Sequence, residues 1–300
     1  MASRMTARAV GDRTMSRPAR AAAARRTGLR RGGNQAVLHA VLLLFAVLAV
    51  APFVWMFFGS LKTYRELVSS SALLPEAWTL DNYSEIINRV NFLTALRNSF
   101  VVAVLQTGAV LLTSALCGFV FAKYRFWGKE LLFAVLLSTM MVPFAVVLVP
   151  LYIFISDLGI NDNLLAIVVP GLWSTFGIFL MRQFMETIPS ELLDAARIDG
   201  SSEWRIIGQI VLPLAGAPLG ALAVLVFLGS WDNFLWPSIV LSSPEQQTVP
   251  VVLAGLRSLY WTRYDMWSAG SVLTVVPVML VYLVASKQFI RGIAMTGIKG

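Results

Sequence analysis

The sequence predicts an all-α integral membrane protein with six transmembrane helices, and two observations carry this prediction. Of the 300 residues, 57% are hydrophobic and only 13% are charged, with a mean hydropathy of +0.73. Soluble domains carry about 25% charged residues, so this chain has more apolar surface than a water-soluble core can bury. The second observation is that the apolar residues fall into six runs, each long enough to cross about 30 Å of hydrocarbon.

The first element is a basic tail over residues 1–35, which is rich in arginine, alanine and glycine. This composition predicts disorder, because it offers almost no large apolar side chains to a core. The tail holds nine arginines and therefore accounts for the net charge of +8. We interpret it as a cytoplasmic anchor on anionic membrane lipid and not as a nucleic-acid interface. A dispensable tail is the alternative.

Residues 36–58 are predicted to form the first transmembrane helix, because this apolar run is longer than that of a signal peptide. Residues 59–93 are predicted to be an extracytoplasmic loop, and residues 94–290 hold the other five spans. Their predicted bounds are 98–122, 131–154, 164–181, 214–236 and 268–286. Prolines and glycines in these spans are expected to bend helices or to expose backbone to a cavity. Residues 291–300 are the predicted cytoplasmic C-terminal tail.

The distribution of positive charge orients these spans. With the N-terminal tail inside the cell, 18 of the 24 Lys and Arg residues lie on cytoplasmic segments and six lie outside. The six are Lys62, Arg65, Arg89, Arg97, Arg257 and Arg263. The excess of positive charge inside predicts that both termini, and the polar segment between spans four and five, are cytoplasmic.

That polar segment predicts a helix, a glycine corner and a second helix. Ser190 is expected to N-cap a short amphipathic helix that starts at Glu191. Gly200 follows at the position where a left-handed residue ends a helix. Ser201 or Ser202 can cap the second helix, which is expected to continue to the start of the fifth span.

The spacing of Asp194-Ala195-Ala196, Gly200, Ile210 and Leu212-Pro213 resembles the EAA loop of permease subunits of bacterial ATP-binding-cassette (ABC) importers. Asp194 stands where the family motif has Glu, which keeps the charge and shortens the reach. The resemblance implies a coupling helix that docks into a cleft on a separate ATPase subunit. An ordinary amphipathic surface helix is the alternative. The residues assigned to coupling are Glu191, Asp194, Ala195, Ala196, Asp199, Gly200, Ile210, Leu212 and Pro213.

A second polar feature, Trp231-Asp232-Asn233-Phe234, lies in the outer part of the fifth span. An Asp in hydrocarbon costs about 3 kcal/mol, so Asp232 should face a partner or a water-filled cavity. Polar groups beside aromatic rings suit a carbohydrate. The segment resembles the Trp-Asn-x-Phe element of sugar-importer permeases, with Asp232 in place of the Asn. These four residues are therefore candidates for the substrate pathway, and a helix cap or an interhelix hydrogen bond is the alternative.

From residue 97 to residue 292 the chain resembles the six-span permease of carbohydrate importers of the maltose type. Its ending, Gly292-Ile-Ala-Met-Thr-Gly-Ile-Lys-Gly300, is similar to the tail found there. The resemblance implies a homologous second permease subunit, two ATP-binding subunits and an extracytoplasmic sugar-binding protein, all at the bacterial cytoplasmic membrane. ATP and Mg²⁺ belong to the ATPase partner in this scheme.

Several function classes find no support in the sequence. It has no Walker A, HExxH, GxSxG or CxxC motif, and it contains one histidine and one cysteine. No catalytic residue, metal ligand or resident cofactor is therefore predicted, and an enzyme is disfavoured. A secondary transporter or channel remains the alternative function. It would need intramembrane charges to couple ions, and Asp232 is the only candidate.

Overall fold

The computed structural model describes residues 17–256 and 263–297, with side chains for residue 35, for 37–88 and 90–256, and for 263–283. All regular elements in these ranges are helices. The α-helices are α1 (Arg17–Ser60), α2 (Tyr64–Ser69), α3 (Asp81–Arg89), α4 (Phe92–Lys123), α5 (Lys129–Ser138), α6 (Phe144–Asp157), α7 (Leu165–Val168), α8 (Thr175–Glu186), α9 (Ser190–Ile198), α10 (Glu203–Ile206), α11 (Leu212–Leu214), α12 (Gly216–Trp231), α13 (Leu235–Val240), α14 (Val249–Gly255) and α15 (Tyr264–Gly297). The chain divides after Trp55 into two compact units.

The first unit consists, in its described residues, of the greater part of helix α1. The apolar portion of α1 is the candidate span Val37–Ser60, which has 24 residues and a mean hydropathy of 2.7. Helix α1 extends back to Arg17, so residues 17–35 are helical, which differs from the disorder predicted for this segment. Alanine and arginine are among the best helix formers, which explains the extension. Residues 1–16 of the predicted tail lie outside the described residues.

Five helical segments of the described chain are long and apolar enough to cross a membrane. They are Val37–Ser60, Phe92–Lys123, Leu165–Glu186, Gly216–Val240 and Tyr264–Leu283. A sixth span results if the bent pair Lys129–Met141 and Phe144–Asp157 is counted as one. The all-helical membrane class is therefore confirmed, and the predicted number of six spans holds when this bent pair is included.

The third predicted span, 131–154, consists of two helices that meet at 101°. The break lies at Val142 and Pro143, which both have extended backbone conformations. Proline removes a backbone donor and disfavours helical geometry in the residue before it, which explains the break. Pro150, the other proline of the run, lies inside α6. The single span expected from the apolar run is therefore a bent pair in the structure.

Helix α4 lies at the centre of the second unit, where it packs against α8 and α12. Small residues make the contact between α4 and α8 close. A Cβ atom built on Gly118 would lie 2.6 Å from the Cβ of Met181. One built on Gly177 would lie 2.3 Å from the Oγ of Ser114. Small residues let membrane helices approach in this way, because no side chain holds the backbones apart.

The candidate span Leu165–Glu186, which corresponds to the predicted fourth span, is interrupted in its middle, and side chains of α4 bind the backbone there. Helix α7 passes into a 3₁₀ turn at Val169–Gly171 before α8 begins. The side chain of Gln106 donates to the carbonyl of Ile167 at 2.8 Å. The hydroxyl of Thr113 donates to the carbonyl of Leu172 at 3.1 Å. Irregular backbone at membrane depth requires partners of this kind, because lipid offers no hydrogen bonds.

Candidate functional site

The candidate coupling segment, residues 189–213, folds as a helix, a corner and a second helix. Ser190 is the first residue of α9, and Pro189 occupies the N-cap without a side-chain hydrogen bond, so the predicted cap by Ser190 is wrong. Pro189 already has the extended geometry of a cap, which moves the helix start one residue earlier. Ser202 caps α10 by accepting from the N–H of Arg205 at 3.4 Å, which confirms one of the two predicted caps.

Gly200 forms the corner in the left-handed conformation that the sequence predicted, with φ of +81°. The N–H of Ser201 donates to the carbonyl of Ala196, and the N–H of Gly200 donates to the carbonyl of Arg197, both at 3.0 Å. This pair of bonds is the Schellman motif, which satisfies the last carbonyls of a helix. The direction of the chain after α9 is therefore set by local hydrogen bonds.

Three buried side chains seat the segment on the bundle. Leu193, Ala196 and Ile206 pack in one apolar cluster with Phe119 and Met181. Full burial of a leucine side chain such as Leu193 contributes about 2 kcal/mol. The motif assigned Ala196 to the ATPase contact, whereas in the structure its methyl group contacts the chain's own core.

Other apolar side chains of the segment are exposed. We call Leu192, Ile198 and Trp204 the exposed apolar set; Ile198 is 86% exposed and Trp204 is 73% exposed. Ala195 is exposed beside them. Uncovered apolar groups grouped on a polar surface mark interaction sites. The motif comparison missed Ile198 and Trp204, although a tryptophan in a polar segment was an available signal.

Arg197 joins the two helices through ion pairs. Its Nη1 lies 2.7 Å from Oδ1 of Asp194, and its Nε lies 2.8 Å from Oε1 of Glu203. The bonds to Glu203 and Asp194 raise the pKa of Arg197. The bonds that Glu203 accepts from Arg197, together with the nearby hydroxyl of Tyr124, lower the pKa of Glu203. Both partners are therefore charged at neutral pH, and the corner at Gly200 is braced from one helix to the next.

The second helix changes its winding before the fifth span. Residues Ile207–Val211 are π-helical, and the N–H of Leu212 donates to a carbonyl five residues earlier. Pro213 follows in the short helix α11, and α12 begins at Gly216. Ile210 and Leu212 are half-buried against the core cluster. π-helical turns are rare and frequently occur at functional sites.

The candidate coupling segment lies near the end of α4, where the chain turns into α5. Lys123, the last residue of α4, donates from Nζ to the carbonyl of Ile188 just before the segment. Burial and the neighbouring Glu203 raise the pKa of Tyr124, the next residue. The Lys123 bond attaches the start of the segment to this helix end, and Glu203 of the second helix lies near it.

The four pathway candidates of the fifth span lie in two different environments, one in the core and three in a break between helices. Trp231 is 1% exposed and stacks on Phe227, with ring centroids 5.9 Å apart and planes 14° from parallel. It therefore packs in the core and does not line an open cavity in this structure. Asp232, Asn233 and Phe234 lie in the break between α12 and α13, where Asp232 and Phe234 are exposed and Asn233 is half-buried.

Asp232 is the C-cap of α12 through its backbone, because its N–H donates to the carbonyl of Leu228 at 3.0 Å. Its carboxylate is exposed, and no residue in the described ranges forms a hydrogen bond or an ion pair with it. A carboxylate accepts several hydrogen bonds. Asp232 can therefore receive hydroxyl groups of a solute that passes this break.

Gln106 is a buried polar residue that the sequence reasoning missed. Its Nε2 donates to Ile167, and its Oε1 accepts from the hydroxyl of Ser230 at 2.5 Å. It thus connects α4 with the interrupted fourth span and with α12. A Cβ atom on Gly171 would lie 2.0 Å from Nε2 of Gln106. The available signal was a glutamine inside an otherwise apolar span, because such a residue needs partners.

Five or six apolar helical segments among the described residues, one of them interrupted, together with a polar helix–corner–helix segment, are typical of a permease-type membrane subunit. Residues 111–288 match the family model described as binding-protein-dependent transport system inner membrane component, and the chain belongs to this family. The predicted recognition as the permease subunit of an ABC importer is confirmed.

Three comparisons describe the relatives. The chain is 35% identical over 266 residues to the lactose transport system permease protein LacG of Rhizobium radiobacter, covering 89% of this chain and 97% of LacG. It is 35% identical over 280 residues to the arabinooligosaccharides transport system permease protein AraQ of Bacillus subtilis (strain 168), covering 91% and 100%. A chain in the crystal structure of a bacterial ABC transporter involved in the import of the acidic polysaccharide alginate shares the fold, with a TM-score of 0.77 at 23% identity over 87% of this chain and 98% of that chain.

Proposed function

We propose that this chain carries a sugar or oligosaccharide across the bacterial cytoplasmic membrane, and that ATP hydrolysis by a separate subunit drives the transport through residues 191–213. Two relatives at 35% identity are named for lactose and arabinooligosaccharide transport, which supports a carbohydrate substrate. The chain itself acts as a transport subunit and not as an enzyme. ATP and Mg²⁺ bind to the ATPase partner.

The exposed apolar set on the coupling segment is the single observation that carries the coupling proposal. Ile198 and Trp204 leave a large apolar area uncovered at a surface that is otherwise polar. A partner with a complementary cleft would remove this area from water, which is favourable by about 25 cal/mol per Å². The exposed residues of the motif, Glu191, Asp194, Ala195 and Asp199, surround the same helix and supply its polar rim.

A coupling helix transmits motion only if it moves as a rigid body with the spans attached to it. The buried face, with Leu193 and Ile206, fixes the segment to the bundle. The Schellman bonds at Gly200 and the Arg197 ion pairs fix the angle between its two helices. Closure of the ATPase pair would therefore displace the segment together with α12, which is the kind of rigid-body motion that switches packed interfaces.

The assembly that this function requires contains four other components. They are a homologous second permease subunit, two ATP-binding subunits and an extracytoplasmic sugar-binding protein. The family description, a binding-protein-dependent transport system, supports the last of these. In this arrangement both termini are cytoplasmic, and residues 94–290 form the transmembrane domain between the extracytoplasmic loop 59–93 and the C-terminal tail 291–300.

Asp232, Asn233 and Phe234 are the proposed contacts to the sugar. The break between α12 and α13 places a carboxylate, an amide and an aromatic ring on three consecutive residues. Hydroxyl groups donate to a carboxylate and accept from an amide, and a sugar ring packs on an aromatic face. Trp231 supports this break from the core side.

Uptake of a labelled sugar into vesicles tests the function. The full assembly is reconstituted with ATP inside, and lactose and arabino-oligosaccharides are supplied outside with the binding protein. We expect uptake that requires ATP and that stops when the ATPase subunit carries an inactivating substitution. Uptake that follows an ion gradient and ignores ATP would instead establish the alternative, a secondary transporter or channel.

A further inference from the structure

A second polar site lies in the turn between α4 and α5. It is an open pocket of about 450 Å³, lined by Arg125, Phe126, Gly128, Lys129, Glu130 and Leu131. The turn is held in place by Phe126, whose ring centroid lies 6.1 Å from that of Phe121 on α4. Gly128 has φ of +78°, a left-handed conformation that glycine adopts without strain. The pocket is therefore built by the local fold.

The charges that line this pocket do not cancel. Arg125 is exposed and forms no ion pair with any residue in the described part of the chain. Among the residues that the structure describes, Lys129 donates only to the neutral carbonyl of Tyr124, at 3.1 Å. The acidic residue of the pocket, Glu130, lies 3.3 Å from Arg182, which also forms an ion pair of 2.9 Å with Glu186. Arg125 and Lys129 thus have no carboxylate partner among the described residues, and the charged side chains that line the pocket sum to +1.

Exposed apolar side chains are close in sequence to Arg125 and Lys129. Trp127 is 99% exposed, and Leu131 is also exposed. Trp127 lies in the turn between α4 and α5, and Leu131 lies in the first turn of α5. Because both helices belong to candidate spans, we expect these two side chains at the edge of the hydrocarbon region. Tryptophan is enriched at this depth because its ring is both apolar and a hydrogen-bond donor. The site therefore combines a positive pocket with exposed apolar side chains next to it in the chain.

We propose that this pocket binds the phosphate of an anionic phospholipid, with Trp127 and Leu131 against its glycerol and acyl region. Arg125 and Lys129 complement a headgroup that carries net negative charge, whereas a zwitterionic headgroup leaves both cations uncompensated. Each Lys or Arg near an anionic surface favours the anionic lipid by about fivefold. Lys123, two residues before Arg125, donates to the carbonyl of Ile188 just before the coupling segment. A lipid bound here lies next to the segment that is proposed to dock the ATPase.

Tryptophan quenching in vesicles tests the site. The full chain is placed in phosphatidylcholine vesicles that contain increasing fractions of either dibrominated phosphatidylglycerol or dibrominated phosphatidylcholine. The signal of Trp127 is the difference between the wild type and the Trp127→Phe variant. We expect half-maximal quenching of this signal at an at least fivefold lower fraction of the anionic lipid. The preference should disappear in Arg125→Gln/Lys129→Gln. It should remain in the control Arg65→Gln/Arg205→Gln, which removes the same charge from two exposed sites elsewhere.

Each other outcome overturns the proposal. Equal quenching by the two lipids, or a preference that survives in Arg125→Gln/Lys129→Gln, shows that the pocket does not select the headgroup. Loss of the preference in the control assigns it to general surface charge. If inorganic phosphate abolishes the preference for the anionic lipid, the pocket binds a free anion. If assembly with the partner subunits abolishes it, the pocket is a protein contact. The measurement requires no transport, so failure of the proposed sugar import leaves its result unchanged.

Discussion

Arg197 and Glu203 are joined across the Gly200 corner by a hydrogen bond of 2.8 Å between Nε and Oε1. The bond connects α9 with α10, which are otherwise held together by the backbone of a short turn. Because Asp194 accepts from the same guanidinium, the charge of Arg197 is shared between the helix that carries it and the helix that follows. The corner is therefore braced by side chains as well as by the Schellman bonds.

The first prediction concerns this brace. Glu203→Gln keeps the shape of the side chain and removes its charge, so we expect the number of ATP molecules hydrolysed per sugar to rise by less than about fivefold, as for an exposed ion pair. The reconstituted assembly provides the measurement. Glu245→Gln, which removes an exposed carboxylate distant in sequence from the segment, is the control and should leave the ratio unchanged.

The pH dependence of the brace has a definite sign. The pKa of Glu203 is lowered from the ordinary value of 4.5, chiefly by the bond from Arg197. A carboxylate with a depressed pKa stabilises the fold above its unfolded-state pKa and loses this contribution as the pH falls through the folded-state value. We therefore expect Glu203 to stay ionised between about pH 6 and 8. Its titration should not change the ratio of ATP molecules hydrolysed per sugar in this range. A titration of the ratio in that range that disappears in Glu203→Gln would contradict it.

The second prediction concerns the corner itself. Gly200→Ala forces a Cβ into a backbone with φ of +81°, although the space around it is open, so the cost is conformational and amounts to about 1 kcal/mol. We expect a lower Tm of the assembly and weaker coupling. Gly200→Asn should be milder, because Asn adopts this conformation more readily. Gly216→Ala, also in open space but without positive φ, is the control. Equal effects of the two alanine variants would show that backbone conformation is not the cause.

Local chemistry explains which parts of the site could be predicted from the sequence. The left-handed Gly200 and the cap by Ser202 depend on residues within one helical turn, so the pattern of the chain suffices. Ala195 and Ala196 are chemically identical neighbours, and only the position of α9 against Met181 decides that Ala196 is the buried one. Long-range packing of this kind is not encoded in a local motif.

The same limit applies to the fold. Apolar runs locate most spans, because crossing hydrocarbon requires a minimum length. Pro143 and Pro150 lie in one such run, yet the chain breaks at Pro143 and continues as a helix through Pro150. Likewise, Trp231 and Phe227 stack one turn apart on α12, but both are in the core because α12 packs them against Ala103 of α4 and against α15.

The third prediction distinguishes the exposed side of the coupling segment from its buried side. Ile198→Ser/Trp204→Ala should lower the affinity for the ATPase subunit at least about tenfold, since exposed aromatic groups of this size are typical binding hot spots. The Tm of the chain should change little. Leu193→Ala should instead lower the Tm, because it creates a cavity that costs about 3 kcal/mol. Co-purification and thermal unfolding measure the two effects. A fall in Tm without loss of ATPase binding in Ile198→Ser/Trp204→Ala would contradict the docking proposal.

The fourth prediction tests the contact between Gly171 and Gln106. In Gly171→Ala the new methyl group meets the amide of Gln106 at 2.0 Å, so we expect a marked loss of thermal stability. Gln106→Ala also loses stability, because it leaves the carbonyl of Ile167 without its donor. The double variant should be more stable than the sum of the two losses implies, because the clash requires both partners. Gly229→Ala, in open space, is the control. Simple additivity in the double variant would show that this contact does not cause the loss.

The fifth prediction separates neighbouring residues of the fifth span. Asp232→Asn removes the charge of an exposed carboxylate that has no partner among the described residues, so we expect a raised KM for sugar uptake and an unchanged Tm. Trp231→Ala should lower the Tm by loss of the stack on Phe227, whereas Trp231→Phe should be tolerated, because Nε1 has no hydrogen-bond partner in the described structure. Uptake kinetics and thermal unfolding provide the two readouts. If Asp232→Asn lowers the Tm and leaves KM unchanged, the residue is a helix cap, and the sugar contact must lie elsewhere.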